Sequence, residues 1–255
     1  MNAVPDRRSR RQPRAIFPPE VEIELKEAFF DGATSGYFVE VGANDPQLNS
    51  QTWHFEQAGW SGILIEPQPD LAQLLRRTRS AKVYAAACSS PARTGRPAHM
   101  FLAVPFSSLD PNLAVTNVRA DRTIEVPVRT LDDILTEACA PRPIDFLSID
   151  VEGHEPEVLA GFDIERWRPR LILIEDHVVS LAKHRLLTRA GYRLIRRTGL
   201  NAWYVPHAEA APMGWFGRWQ IVRKYYLGLP FRVARDAMRR LRFRVAEWHP
   251  CAKRG

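Results

Sequence analysis

Cysteine is scarce in this chain. Cys88, Cys139 and Cys251 stand far apart, with no Cys-x-x-Cys and no Cys/His spacing, which argues against a disulfide framework or a zinc module and predicts reduced thiols. Long apolar runs are missing too. No stretch approaches the roughly 18 to 20 consecutive apolar residues of a spanning helix, and the arginines of residues 1–14 have no apolar run behind them. Neither a membrane span nor a secretion signal is expected, so the reading is cytoplasmic.

What is there suffices for a globular core: 255 residues, 45% of them hydrophobic, fit one sizeable α/β domain with appendages. The net charge of +7 is unevenly spread. Residues 1–15 hold five arginines and one acid, and 207–255 hold eleven Lys/Arg and three acids, whereas 16–206 hold twenty bases against twenty-five acids. Basic tails on a mildly acidic body predict tails that meet an anionic surface rather than a body that grips nucleic acid.

From Tyr37 onward short apolar runs alternate with helical patterns. Runs at 37–42, 61–66, 81–85, 143–150 and 170–175 read as strands buried on both faces, and segments at 52–58, 70–77, 131–138, 155–159 and 179–190 read as helices. That alternation predicts a doubly wound, mostly parallel sheet. Residues 192–196 and 202–205, separated by Arg-Thr-Gly-Leu-Asn, read as a closing antiparallel hairpin. An excursion at about 95–128 interrupts the alternation where substrate loops are expected. The predicted organisation is a basic, disordered arm (1–15), an α/β domain (16–206) and a helical extension (207–255).

In such sheets the ligand crevice lies outside the carboxyl ends of the strands. The first strand ends in Glu40-Val-Gly-Ala-Asn-Asp45 and the second at Glu66-Pro67. Gly42 lets backbone turn closely under a ligand, and a strand-end acid suits a ribose diol. The loop has one glycine instead of G-x-G-x-x-G, so a cofactor with a ribose but no phosphates, S-adenosylmethionine, fits better than a dinucleotide. Singly, such a glycine is usually a turn and such a glutamate a solvated edge; their order at consecutive strand ends favours the functional reading.

The blocks Phe38-Val-Glu-Val-Gly-Ala-Asn-Asp45, Gly59-Trp-Ser-Gly-Ile-Leu-Ile-Glu-Pro67, Val128-Arg-Thr-Leu-Asp-Asp133, Ile144-Asp-Phe-Leu-Ser-Ile-Asp-Val-Glu-Gly-His-Glu155 and Leu173-Ile-Glu-Asp-His177 resemble the FkbM family of S-adenosylmethionine-dependent methyltransferases over roughly 36–206. The resemblance implies a class I methyltransferase (Rossmann-like) fold and O-methylation of a hydroxyl on a sugar, glycolipid or related natural product. It implies that Glu40, Gly42, Asn44, Glu66, Pro67 and Asp150 bind cofactor, with Glu40 and Gly42 on the methionine side, Glu66 at the ribose and Asp150 near the methyl group.

Methyl transfer from a sulfonium needs an aligned nucleophile and an acceptor for its proton. Candidates cluster after the fourth and fifth strands: Asp150, Glu152, His154, Glu155, Glu175, Asp176 and His177. His154 and His177 have the natural pKa for a base, although a lone histidine is more often structural. An alternative reading makes Asp150, Glu175 and Asp176 an oxygen-only Mg²⁺ site; against it, Glu175 and Asp176 would cap the next helix. No Asn/Asp-Pro-Pro-Tyr tetrapeptide follows the fourth strand, which disfavours base methylation.

Over 215–248, Trp215, Trp219, Val222, Tyr226 and Leu229, then Phe231, Ala234, Met238, Leu241, Val245 and Trp248, recur at helical spacing amid arginines, with a break at Gly228 and Pro230. Two amphipathic helices in a hairpin are expected, docked peripherally on an anionic inner membrane face. The competing reading packs the stripe on the domain or on a second copy. The rival functions are an RNA methyltransferase using its basic tails and a non-catalytic binding or scaffold protein.

Overall fold

The computed structural model describes residues 19–102, 122–211, 214–235 and 237–238. The basic arm (1–15), the tip of the excursion, and the tail from Arg239 through Trp248 to the end lie outside the described residues. In chain order the elements are α1 (Pro19–Phe29), β1 (Tyr37–Val41), α2 (Trp53–Gln57), β2 (Ser61–Ile65), α3 (Pro69–Thr78), β3 (Lys82–Tyr84), β4 (Ala87–Cys88), β5 (Ala98–Leu102), β6 (Arg122–Val126), β7 (Val128–Arg129) and α4 (Leu131–Glu137). Then follow β8 (Phe146–Ile149), α5 (Glu155–Ala160), α6 (Ile164–Trp167), β9 (Leu171–Glu175), α7 (Ala182–Arg189), β10 (Tyr192–Thr198), β11 (Asn201–Pro206), α8 (Trp215–Ile221) and a π-helical segment, Val222–Leu227.

Seven strands form the main sheet in the order β10-β11-β9-β8-β1-β2-β3. β3, β2, β1, β8 and β9 pair in parallel, and β11 runs antiparallel between β9 and β10. This is the expected doubly wound sheet with a closing hairpin. The apolar runs supply both faces, because alternate residues point opposite ways. Val39, Val41, Ile63, Ile65, Leu147, Ile149, Ile172 and Ile174 pack on one side with Leu131, Ile134 and Leu187. Phe38, Leu64, Phe146, Leu171 and Leu173 pack on the other with Phe30, Phe55 and Leu75. The order reverses between β1 and β8, which opens a crevice at their carboxyl ends.

The hairpin differs from expectation in its limits. β10 runs to Thr198 and β11 starts at Asn201, so the turn is Gly199-Leu200, with Gly199 at φ +56°. A register shift between Leu194 and Arg196 absorbs the odd residue that the simple alternation missed. The predicted 179–190 helix begins only at Ala182. The excursion carries an antiparallel pair, β5 with β6, and β4 pairs with β7 beside it.

Helix α1 gives no apolar periodicity because its most buried residues are Glu22 and Lys26. Glu22 accepts hydrogen bonds from Thr198 Oγ1 and, at 3.1 Å to each oxygen, from Asn201 Nδ2. Lys26 Nζ donates to the carbonyl and side chain of Gln51 at 2.8 and 2.9 Å. The helix therefore ties the last hairpin to the loop after β1.

Beyond the sheet, α8 passes into the π-helical turn, and helix resumes over 229–235 after a bend at Gly228. The wider π turn changes which side faces inward. Tyr225, off the predicted apolar stripe, is fully buried in the core, whereas Trp215, Trp219, Val222, Tyr226 and Phe231 are exposed. Arg232 Nε donates to the Val178 carbonyl at 3.0 Å. This first stretch of the extension packs on the domain with an apolar outer face. Among the described residues no helix is long and apolar enough to cross a membrane.

Candidate active site

Register places Gly42, Glu66, Asp150 and Glu175 along one edge of the sheet, since Val41 pairs with both Ile65 and Ile149, and Ile149 with Ile174. At the β1 end the chain turns tightly. Gly42 has φ +86°, and a Cβ there would lie 1.8 Å from the Asp150 carbonyl oxygen, so no other residue fits without moving backbone. Gly42 and Ala43 donate to the Ile65 carbonyl at 2.9 and 3.1 Å.

Glu66 is buried at the end of β2. Its two oxygens accept the backbone N–H groups of Asn44 and Gln68, each at 2.9 Å. Asn44, at φ +48°, presents that N–H from the turn, and Pro67, half-buried, follows Glu66 into α3. Burial raises the Glu66 carboxyl above its ordinary range against the lowering effect of these bonds. With two donors fixed by backbone, the remaining lone pairs are held in place to receive a diol.

Glu40 has a different place from the one predicted. It projects from the middle of β1 to the α1 face, where it accepts from Gln51 N at 2.7 Å, Ser50 Oγ at 3.1 Å and Thr52 Oγ1. Arg79 reinforces the same loop, donating to the Pro46 carbonyl at 2.9 Å and to Thr52 Oγ1 at 3.0 Å. Glu40 thus shapes the loop under the crevice. Sequence reasoning missed Lys26, inside α1, and Arg79, just past the end of α3, where no motif marks them.

At the other half of the edge, the turn after β8 has two consecutive left-handed residues, Glu152 (φ +51°) and Gly153 (φ +95°). Asp150 is half-buried. Burial first, then the nearby carboxylates of Glu175, Glu152, Glu155 and Glu40, hold its carboxyl well above the usual range. Glu152 is pushed up to about 7 by burial and then by Glu175. His177 Nε2 lies 3.3 Å from Glu175 Oε1, and that hydrogen bond is the main cause of the raised imidazole pKa. Shifts concentrated in a crevice mark a site suited to moving protons.

The two candidate histidines part company here. His177 is half-exposed beside Glu175 and Glu152. His154 is buried at the N-terminus of α5, its Nε2 3.0 Å from Ser89 Oγ, outside the group that contains His177.

The predicted metal set, Asp150, Glu175 and Asp176, needs correction. Glu175 and Asp176 are consecutive at a strand end and project to opposite sides. Asp176 Oδ2 accepts from Tyr225 Oη at 2.6 Å and lies 3.4 Å from Arg197 Nη1; its Oδ1 accepts from Val178 N at 2.9 Å and lies 3.5 Å from Lys183 Nζ. Its charge is spent on the extension and on α7. Among the described residues, Glu152, Glu175 and His177 are the group whose ligand atoms come together.

A shallow groove lined by Pro91, Thr94, Thr130, Asp133, Gly161 and Asp163 shares no residue with this edge, so chemistry rather than concavity locates the site.

The methyltransferase FkbM domain matches residues 40–194, more than half of the chain. An O-methyltransferase from Bacillus cereus, solved in complex with SAH, is similar over 76% of this chain and 82% of its own, at 15% identity and a TM-score of 0.35. No curated protein matches.

Proposed function

Since this chain belongs to the FkbM methyltransferase family, we propose that it is an S-adenosylmethionine-dependent O-methyltransferase acting on a hydroxyl of a sugar, glycolipid or related natural product. The observation that carries the reading is the row Glu66, Gly42, Asp150, Glu175 across adjacent strand ends. In this reading Glu66 would hold the cofactor ribose, Gly42 would leave room for the cofactor above the turn, and Asp150, Glu175 and His177 would face the acceptor. In line with the sulfur, the acceptor oxygen forms a bond to the methyl carbon as the carbon–sulfur bond breaks, and S-adenosylhomocysteine leaves with the electron pair. The acidic and imidazole groups beyond Asp150 lower the cost of removing the hydroxyl proton. They offer acceptors and no aromatic clamp for a flipped base, which favours oxygen over a nucleobase amine.

The acceptor is carried on, or near, an anionic membrane surface. Support comes from the outer face of the extension, where Trp215 and Phe231 are each 79% exposed and Trp219 and Tyr226 are exposed beside them. Arg218, Arg223 and Arg235 are exposed on the same stretch. Aromatics ringed by cations suit an anionic headgroup layer.

The cofactor assignment is tested at Glu66. Glu66→Gln keeps the shape but turns one fixed acceptor into a donor, and the expected loss is about 1.5–3 kcal/mol, or about 10- to 150-fold in S-adenosylmethionine affinity by calorimetry. Unchanged affinity in a folded variant would remove Glu66 from the cofactor site.

A further inference from the structure

We propose that Glu152, Glu175 and His177 form a site for a divalent cation of the Mn²⁺ type, open on the side from which the acceptor approaches. Each residue offers one ligand atom, and these atoms all lie within 4.8 Å of one another. The separation of Glu175 Oε1 and His177 Nε2, 3.3 Å, falls on the roughly 3.0–3.4 Å edge made by two ligands each about 2.1 Å from one ion. The Glu152 oxygen lies within 4.8 Å of both, so a side-chain rotation of at most about 1.8 Å brings it onto the same edge.

A second observation points to a ligand. Glu175 is more than nine-tenths buried, and its Oε2 is a buried oxygen with no hydrogen-bond partner. An ionised carboxylate oxygen held out of water without a donor is costly. Its neighbours in the cluster include a second carboxyl group, Glu152. A cation held between the two offsets the cost of the partnerless Glu175 oxygen.

The donor set selects the ion. Two carboxylates suit a hard ion, and of the hard divalent ions Mn²⁺, which sheds water more readily and accepts an imidazole nitrogen better than Mg²⁺, matches a set with two oxygens and one nitrogen. His177 is half-exposed, so coordination positions face solvent, as in sites where a metal meets substrate.

The role of the ion, though not its binding, rests on the methyl-transfer reading. Held by Glu152, Glu175 and His177, the ion would offer an open position to the acceptor hydroxyl and lower the cost of its losing a proton to water. The oxygen then attacks the methyl carbon, and the sulfur retains the electrons of the broken bond.

The test is binding of MnCl₂ to the full-length protein without cofactor or acceptor, followed by the loss of the free Mn²⁺ electron paramagnetic resonance signal. One equivalent should bind, and Glu152→Gln and His177→Gln should each weaken binding at least about tenfold. Both variants should keep the wild-type circular dichroism. Mg²⁺ in tenfold excess should leave the Mn²⁺ bound. Absence of saturable binding to the wild type, or equal binding by both variants, overturns the site, and ready displacement by Mg²⁺ overturns the choice of ion. If folding of a variant fails, the wild-type stoichiometry and the Mn²⁺-induced rise in its melting temperature decide the matter. Mn²⁺ binding without S-adenosylmethionine binding would keep the cation site and sink the methyltransferase reading; methyl transfer without Mn²⁺ binding would do the reverse.

Discussion

At the scale of single residues, His54 shows how a side chain remote from the chemistry governs the protein's response to acid. Both ring nitrogens are buried without a hydrogen-bond partner, and the ring lies 4.1 Å, centroid to centroid, from Phe55. Burial, then the positive charges of Lys26 and Arg79, lowers its pKa from 6.5 to about 3. Between those values the unfolded chain binds a proton that the folded chain refuses, so stability is full above about pH 6.5 and falls as pH falls through that window. At pH 4.5 the loss from this group is about 3 kcal/mol. His54→Phe should therefore lose less stability than the wild type between pH 7 and 4.5 in urea titrations, by about that amount. Parallel losses would show that the ring is protonated in the fold. Residue identity alone reveals little of this kind. Gly42 and Glu66 are legible in the sequence because their meaning comes from a position at the end of an apolar run. Asp176 misleads, because a pair of adjacent acids reads as one cluster until strand geometry sends the two side chains apart. Arg79 and Lys26 are silent, because a long cation in or just after a helix looks solvated until packing buries it.

At the scale of elements, apolar runs disclosed the parallel strands, since strands covered on both faces can be little else. Period and phase disclosed less. In the extension, one π turn moves Tyr225 inward, where its hydroxyl donates to Asp176 at 2.6 Å and accepts from Arg197 Nη1 at 2.8 Å. The apolar spacing carried no sign of that insertion, and so suggested that the domain is complete at Val205. The structure gives a different expectation. Tyr225→Phe should cost about 1–3 kcal/mol, because Arg197 and Asp176 stay buried and lose a shared partner. A chain ending at Pro206 should lose more, since it also removes the aromatic ring that lies 4.9 Å from His184. Denaturant midpoints of the two variants check both the size and the order; a truncated chain as stable as the full one would mean that the extension merely rests on the surface.

At the scale of the whole molecule, the sequence combines a mildly acidic body with basic ends, and in the described part of the extension the exposed aromatics lie on the same stretch as exposed Arg218, Arg223 and Arg235. Wild-type protein should float with vesicles containing about 30% phosphatidylserine and not with phosphatidylcholine alone. Its binding should weaken from about 0.1 to 1 M salt as the Debye length shrinks from about 10 to about 3 Å. Trp215→Ser combined with Phe231→Ser should cut binding at least about tenfold while leaving S-adenosylmethionine affinity intact. Binding to RNA with a steep salt slope, and none to vesicles, would favour the RNA methyltransferase instead.

The bond from Glu22 to Thr198 and Asn201 has a consequence for the timing of synthesis. Helix α1 finds its Glu22 carboxylate's partners only among residues made near the end of the sheet. Until Asn201 has emerged, α1 has no anchor there, while the β1–α2–β2 unit can already close on neighbours made soon after it. A pause in translation before the final hairpin would thus leave the Glu22 carboxylate without these partners, with α1 held only by contacts such as Lys26 to Gln51, made from earlier residues.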